Sequence, residues 1–217
     1  MSNFLIIAPA VLLLTALLYY EKQSNRKAVV PIKSLLSCLF IIAALLQPHQ
    51  LPGYFYLLLI GLIFCLGGDV FLALPQERMF LCGLISFLLG HVFYIIAFFY
   101  VAHLNPWTWI GSALCAVLSG GIYFWLRPHL GSMNVPVLCY IIVITLMVAG
   151  AWSVFGSVHL ASDGRLLVFV GALSFYLSDV FVARNRFIKP EFLNRFIGLP
   201  FYYGGQFLLA FSVGLLR

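Results

Sequence analysis

Long, uninterrupted runs of apolar residues divide this chain, and only short polar, proline or glycine segments separate them. A run of about 20 such residues is long enough for a helix to cross the hydrocarbon core of a bilayer. Hydrophobic residues make up 64% of the 217 residues and charged residues only 8%, which leaves little chain for a water-soluble domain. Membrane barrel strands would alternate apolar and polar residues, and these runs do not alternate. The sequence therefore predicts an all-α, polytopic membrane protein with eight transmembrane helices, near residues 4–20, 34–46, 53–74, 79–101, 107–126, 134–156, 165–183 and 196–215.

The first two spans need separate interpretation. No cationic segment precedes the first span, so we expect it to stay in the membrane rather than to be cleaved as a signal peptide. The second span, residues 34–46, is shorter than a full crossing requires. We expect it to extend back past Pro31, or to lie tilted or partly shielded.

Positive charges are concentrated in the odd-numbered loops, whereas the even-numbered loops contain only Arg165. Because Lys and Arg collect on the cytoplasmic side of multi-pass proteins, we expect cytoplasmic odd loops, both termini on the opposite side, and a bacterial inner membrane. The net charge of +6 does not indicate nucleic-acid binding, since no basic stripe with interleaved aromatic residues is present. The cations of the odd loops are Lys22, Arg26, Lys27, Lys33, Arg78, Arg127, Arg184, Arg186, Lys189 and Arg195.

An internal repeat relates the third and seventh spans. Residues 61–73 align without gaps on residues 171–183 and share Gly, Asp, Val, Phe and Ala. The match continues into the next helix, where residues 83–91 correspond to residues 198–206. Spans 3–4 and 7–8 are therefore predicted to be equivalent helix pairs.

Spans 3 and 7 cross in the same direction, which makes the predicted repeats parallel. We expect one integral membrane domain, residues 1–217, built from two four-helix halves of about residues 1–105 and 106–217. The first two helices of each half show no such match.

Two acidic residues, Asp69 and Asp179, lie within spans at equivalent positions of the repeat. A charge in the centre of a membrane helix costs roughly 2.5–3.5 kcal/mol on insertion scales, so both need a reason to be there. One interpretation is structural, with each acid pairing with a cation or backbone group; the predicted spans, however, place no Lys or Arg deep in the membrane. The other is a carboxylate pair facing one cavity, in which repulsion keeps one carboxyl protonated and the other ionised, as general acid/base chemistry needs.

Further polar residues lie near the two acids in the predicted helices. His91 and Gln206 occupy equivalent positions, deeper than the acids, and Tyr202 lies one turn closer to the cytoplasm than Gln206. A histidine in an apolar helix is either a hydrogen-bonded core group or part of a cavity. Tyr140 is a further candidate for binding substrate.

Several chemistries lack their residue patterns. His91 is the only histidine deep in a predicted span, and a zinc hydrolase needs about three protein ligands. We therefore predict no metal and no cofactor. Asp69 lacks the first glycine, and Asp179 the preceding tyrosine, that intramembrane aspartyl proteases carry.

The chain resembles the YhhN family of integral membrane proteins over almost its whole length, from Lys33 to Gln206. The resemblance rests on residues 66–73, on residues 80–94 with Phe87-Leu-Leu-Gly-His91, on residues 171–183 with Ser178-Asp179, on Tyr202-Tyr-Gly-Gly-Gln206, and on Tyr140 and Met147.

The animal members of that family are lysoplasmalogenases, so the resemblance implies an enzyme that cleaves the vinyl ether bond of a lysoplasmalogen. The products would be a fatty aldehyde and glycerophosphoethanolamine or glycerophosphocholine. The implied partners are a lysophospholipid substrate and the lipid bilayer.

This chemistry suits the predicted site. We expect Asp69, Asp179 and His91 to be catalytic, with the two aspartates sharing the acid and base roles in an order that the sequence does not assign. Two alternatives remain open: a transporter or binder of small amphiphiles without turnover, and a structural membrane partner. Residues expected to bind substrate or its phosphate are Tyr202, Gln206, Tyr140, Lys33, Arg127 and Arg184.

Overall fold

A computed structural model describes residues 2–217, with side chains from Leu5 onward. This part of the chain forms eight α-helices and no strand, which confirms the prediction of an all-α protein. The helices are α1 (Ser2–Lys22), α2 (Arg26–Leu45), α3 (Pro52–Ala73), α4 (Glu77–Val101), α5 (Pro106–Leu126), α6 (Asn134–Gly156), α7 (Ser162–Ala183) and α8 (Phe192–Ser212).

The outer surface of the helix bundle is apolar, as a lipid-facing surface must be. Large side chains such as Leu12, Trp109 and Val117 are more than 60% exposed. Among the described helices, α1 to α7 are long and apolar enough to cross a membrane. The protein is therefore an integral, multi-pass membrane protein.

Helix α8 is not among these seven helices, and its inner face carries polar side chains. Asn194, Gln206 and Ser212 are all buried in the interior of the bundle. Its crossing of the membrane, and with it the count of eight spans, stays a prediction.

Helix α2 extends back to Arg26 and continues through Pro31, as expected for the short second span. The prediction that no cation lies deep in a span is wrong. Lys33 lies inside α2, and only 3% of its surface is exposed. The interior of the bundle therefore contains a cation as well as the two acids.

Six helices form a closed ring in the order α2, α3, α4, α6, α7, α8. Helix α1 packs outside the ring on α2 and α8, and α5 packs outside on α6. The first helix of each predicted half therefore lies on the outside. The contacts of α4 with α6 and of α8 with α2 join the halves, whose parallel arrangement stays a prediction.

The two tightest helix pairs meet through glycines at matching positions of the sequence repeat. A Cβ atom at Gly90 of α4 would lie 3.0 Å from the carbonyl oxygen of Gly61 in α3. A Cβ atom at Gly205 of α8 would lie 2.8 Å from the carbonyl oxygen of Gly171 in α7. Small residues let membrane helices approach closely, and here the neighbouring atom is backbone that cannot rotate away.

We expect Gly205→Ala to destabilise the protein, because the added methyl group would push α8 away from α7. Overpacking of this kind costs about 1–3 kcal/mol. Gly204→Ala is the matched control, since a Cβ atom there meets nothing within 4 Å. Thermal unfolding in detergent should show a lower midpoint for Gly205→Ala than for Gly204→Ala; equal midpoints would contradict this account of the helix contact.

Candidate active site

A largely apolar cavity, here called the acid cavity, lies inside the helix ring with both Asp69 and Asp179 in its wall. Its lining comes from the last turns of α3, α5 and α7 and the first turns of α2, α4, α6 and α8. It therefore lies toward the end of the bundle that carries the odd-numbered loops, here called the basic end. The volume of the cavity is about 100 Å³.

Asp69 is held by two hydroxyl donors and one cation and is almost completely buried. The Ser37 and Tyr202 hydroxyls each donate a 2.6 Å hydrogen bond to Asp69 Oδ2. Lys33 Nζ lies 3.7 Å from Asp69 Oδ1. A positive charge and two hydroxyl donors around one carboxyl group stabilise its ionised form.

Asp179 has a much simpler environment. The Tyr140 hydroxyl donates a 2.6 Å hydrogen bond to Asp179 Oδ2. The described part of the chain supplies no other hydrogen-bond donor to this carboxyl group. The preceding residue, Ser178, also lines the cavity, and its buried hydroxyl has no partner among the described residues. Asp179 faces the cavity, and no cation among the described residues contacts its carboxyl group.

The repeat explains part of this difference between the two acids. Tyr202 of α8 donates to Asp69, and the aligned residue of α4, which would face Asp179, is Phe87. Phenylalanine has no hydroxyl to donate. Helix α6, the counterpart of α2 in the ring, contains no Lys or Arg to match Lys33. The two acids thus have different surroundings, one with a cation beside it and one with a single hydrogen-bond donor among the described residues, and the repulsion between them stays a prediction.

His91 and Gln206 lie deeper than the acids and are fully buried. Neither is among the described residues that line the acid cavity. Gln206 Oε1 accepts a 2.8 Å hydrogen bond from the Tyr94 hydroxyl. Both ring nitrogens of His91 lack a hydrogen-bond partner in the described chain, and its ring packs against Phe175 and Tyr140 with centroid distances of 4.5 and 5.4 Å.

The two arginines expected to bind phosphate have different surroundings. Arg127 is exposed, at the start of a short 3₁₀ turn after α5. Arg184 donates hydrogen bonds to Asn194 and Glu191 and so joins the end of α7 to the start of α8. Lys189, hydrogen-bonded to Glu191, and the Arg184 guanidinium lower the pKa of Glu191, which keeps this carboxylate ionised.

Several polar residues of the site were not predicted as site residues, among them Ser37, Ser178 and Arg195. Ser37 follows Lys33 by four residues, a spacing that places both side chains on one helix face and could have identified it. Ser178 follows directly from its position beside Asp179. Arg195 lines the acid cavity, but in the sequence it looks like any other loop cation.

The described side chains contain no group of three or more His, Cys, Asp or Glu residues placed to hold a metal ion. The polar groups of the acid cavity are instead the two carboxyls, Lys33, Arg195, Asn194 and several hydroxyls. Such a set supports proton transfer and hydrogen bonding to an oxygen-containing substrate.

We expect Lys33→Met to destabilise the protein by about 3–5 kcal/mol, because it leaves the Asp69 carboxylate buried without its cation. Adding Asp69→Asn should recover part of the loss, since the double variant contains no unpaired charge. Lys27→Met, at an exposed lysine of the same helix, is the control. The measurement is thermal unfolding of the purified variants. Equal unfolding midpoints for Lys33→Met and Lys27→Met would contradict a stabilising ion pair between Lys33 and Asp69.

The chain is similar to known proteins of one family. The YhhN family model matches residues 28–213 of the chain. Human Lysoplasmalogenase TMEM86A is 34% identical over 158 residues, which is 70% of this chain and 63% of that protein. A lysoplasmalogenase of Mycobacterium bovis is 32% identical over 169 residues, 75% of this chain and 61% of its own length.

The matches thus span slightly less than two thirds of the length of these relatives. No solved structure is significantly similar to the chain. Because the family model covers nearly the whole helix bundle, this chain belongs to the YhhN family.

Proposed function

We propose that this protein is a membrane-embedded hydrolase that cleaves the vinyl ether bond of lysoplasmalogens, releasing a fatty aldehyde and a glycerophospho-amine. The observation that carries the proposal is the pair of differently bonded acids, Asp69 and Asp179, in the wall of one apolar cavity. The names of its relatives support the substrate class. The apolar lining suits an alkyl or alkenyl chain.

The first chemical step is proton transfer to carbon. An acid donates a proton to the β-carbon of the vinyl ether, and the π electrons of the double bond form the new C–H bond. The α-carbon is left positively charged and shares a lone pair of the ether oxygen, which gives an oxocarbenium ion. We assign this donor to Asp179, because among the described residues its carboxyl group has a single hydrogen-bond donor and no cation in contact. A carboxyl group in that environment can carry the proton that the reaction needs.

The second acid acts on the cation and on water. The Asp69 carboxylate, fixed by Lys33 and two hydroxyls, stabilises the oxocarbenium ion and accepts a proton from the water that attacks its carbon. The resulting hemiacetal collapses when protonated Asp69 donates its proton to the departing glycerol oxygen and the Asp179 carboxylate accepts the proton of the hemiacetal hydroxyl. The products are the aldehyde and the glycerol hydroxyl, and both acids regain their starting protonation states. Water supplies one oxygen and two hydrogens overall, so the reaction requires no redox partner.

Other polar groups orient these two acids and the water. Tyr140 and Tyr202 hold one carboxyl each, and the Ser178 hydroxyl lies beside Asp179 in the cavity wall. His91 acts from behind the cavity by packing against the Tyr140 ring, and Gln206 forms part of the same buried layer. Both are therefore positioning residues in this proposal.

The test is hydrolysis of a lysoplasmalogen by the purified protein and its Asp→Asn variants. Asp69→Asn and Asp179→Asn should each lower kcat by at least about 100-fold, the usual contribution of a general acid or base. Asp163→Asn is the matched control, because Asp163 is exposed in the first turn of α7 and far along that helix from Asp179. It should keep wild-type activity.

Other results would point to other functions. Full activity in either cavity variant would remove that acid from the mechanism. Loss of wild-type activity on addition of a chelator would indicate a metal-dependent reaction. Movement of lipid across vesicles without formation of aldehyde would support an amphiphile transporter instead.

A further inference from the structure

A second cavity, here called the arginine cleft, lies at the basic end of the bundle. Arg26 of α2, Arg186 of the π-helical turn after α7, and Arg195 of α8 all line it, together with Glu77 of α4. These residues are far apart in the sequence and are brought together only by the fold. Its lining contains three arginines and one glutamate and so carries a net positive charge, which the Glu21 carboxylate, 3.9 Å from Arg195, offsets in part.

The arginine cleft adjoins the acid cavity. Leu72, Phe80, Val182 and Arg195 line both of them. Arg195 is the charged member of this shared wall. An amphiphile can therefore place a polar group in the cleft while its apolar chain lies in the acid cavity.

The guanidinium groups of the cleft remain available for an anion. Arg186 lies over the Phe80 ring, 4.6 Å from its centroid, and Phe80 packs edge-on against Phe187. Arg195 Nε is 3.9 Å from Glu21 Oε2, which is an ion pair too long to be a hydrogen bond. Arg184, by contrast, donates to both Asn194 and Glu191.

We propose that the arginine cleft binds the zwitterionic phospho-amine head group of a lysophospholipid. Arg26, Arg186 and Arg195 contact the phosphodiester, since planar guanidinium groups match phosphate oxygens, and Glu77 pairs with the amine. This inference rests on the proposed function and adds the head-group site to it. Only the glycerol unit separates the phosphate from the ether oxygen, so binding here directs the vinyl ether toward the acids.

Binding can be measured without turnover. The probe is a saturated 1-O-alkyl lysophosphatidylethanolamine, which lacks the vinyl ether, titrated calorimetrically into the full-length protein in detergent. Arg186→Gln and Arg195→Gln should each weaken binding about tenfold, because each removes charge-assisted hydrogen bonds. Arg78→Gln, which removes the same charge from an exposed residue beside Glu77, should leave binding unchanged.

A second set of titrations identifies the ligand and controls for misfolding. Glu77→Gln should weaken binding of the ethanolamine lipid but not of the matching 1-O-alkyl lysophosphatidic acid, which has no amine. Glycerophosphoethanolamine should compete with the lipid, and inorganic phosphate should compete much less. Arg195→Lys should retain more affinity than Arg195→Gln, since it keeps the charge.

The outcomes separate this inference from the proposed function. Wild-type affinity in both arginine-to-glutamine variants would overturn the head-group site even if hydrolysis proceeds normally. Equal competition by inorganic phosphate would also overturn it, because the cleft would then be a free-phosphate site. Arginine-dependent lipid binding without formation of aldehyde from a lysoplasmalogen would support the head-group site and contradict the proposed function.

Discussion

The buried ion pair between Lys33 and Asp69 is the interaction around which the interior of this bundle is organised. Lipid cannot solvate a carboxylate, so Asp69 needs a cation and hydrogen-bond donors from neighbouring helices. Lys33 and Ser37 come from α2 and Tyr202 from α8, so the acid of α3 joins three helices of the ring. A single charged group thereby fixes both a helix contact and one wall of the acid cavity.

Each copy of the predicted helix-pair repeat contains one acid, and sequence differences between the two copies give these acids different environments. Asp69 and Asp179 occupy aligned positions, but tyrosine stands at 202 where phenylalanine stands at 87, and α6 has no counterpart of Lys33. A symmetric pair of carboxyls would compete for one proton without a preferred site. The residues around them differ, so that Asp69 contacts a cation and two hydroxyl donors, whereas Asp179 has few partners. Two acids in different environments suit acid/base chemistry.

The helices and the two acids could be identified from the sequence because each is marked by a pattern of consecutive residues. Apolar runs set the helix lengths, and the alignment of residues 61–73 with 171–183 identifies Asp69 and Asp179 together. The ion pair was missed because Lys33 directly precedes the apolar run 34–46 and was therefore counted among the cations at the span ends, whereas α2 begins at Arg26 and takes Lys33 into the interior.

The arginine cleft could not be predicted, because its residues come together only through the packing of helices that are distant in the sequence. Arg26, Arg186 and Arg195 look like ordinary cytoplasmic loop cations, and only the closure of the helix ring gathers them into one cleft. The proposed reaction depends on whether a proton reaches the β-carbon of the substrate. Hydrolysis of a lysoplasmalogen in D₂O, with the aldehyde trapped at once and analysed by mass spectrometry, tests this most directly. We predict one deuterium on the carbon next to the carbonyl group, with aldehyde formed by the wild type and not by Asp179→Asn; aldehyde without deuterium, or equal yields from both proteins, would contradict the mechanism.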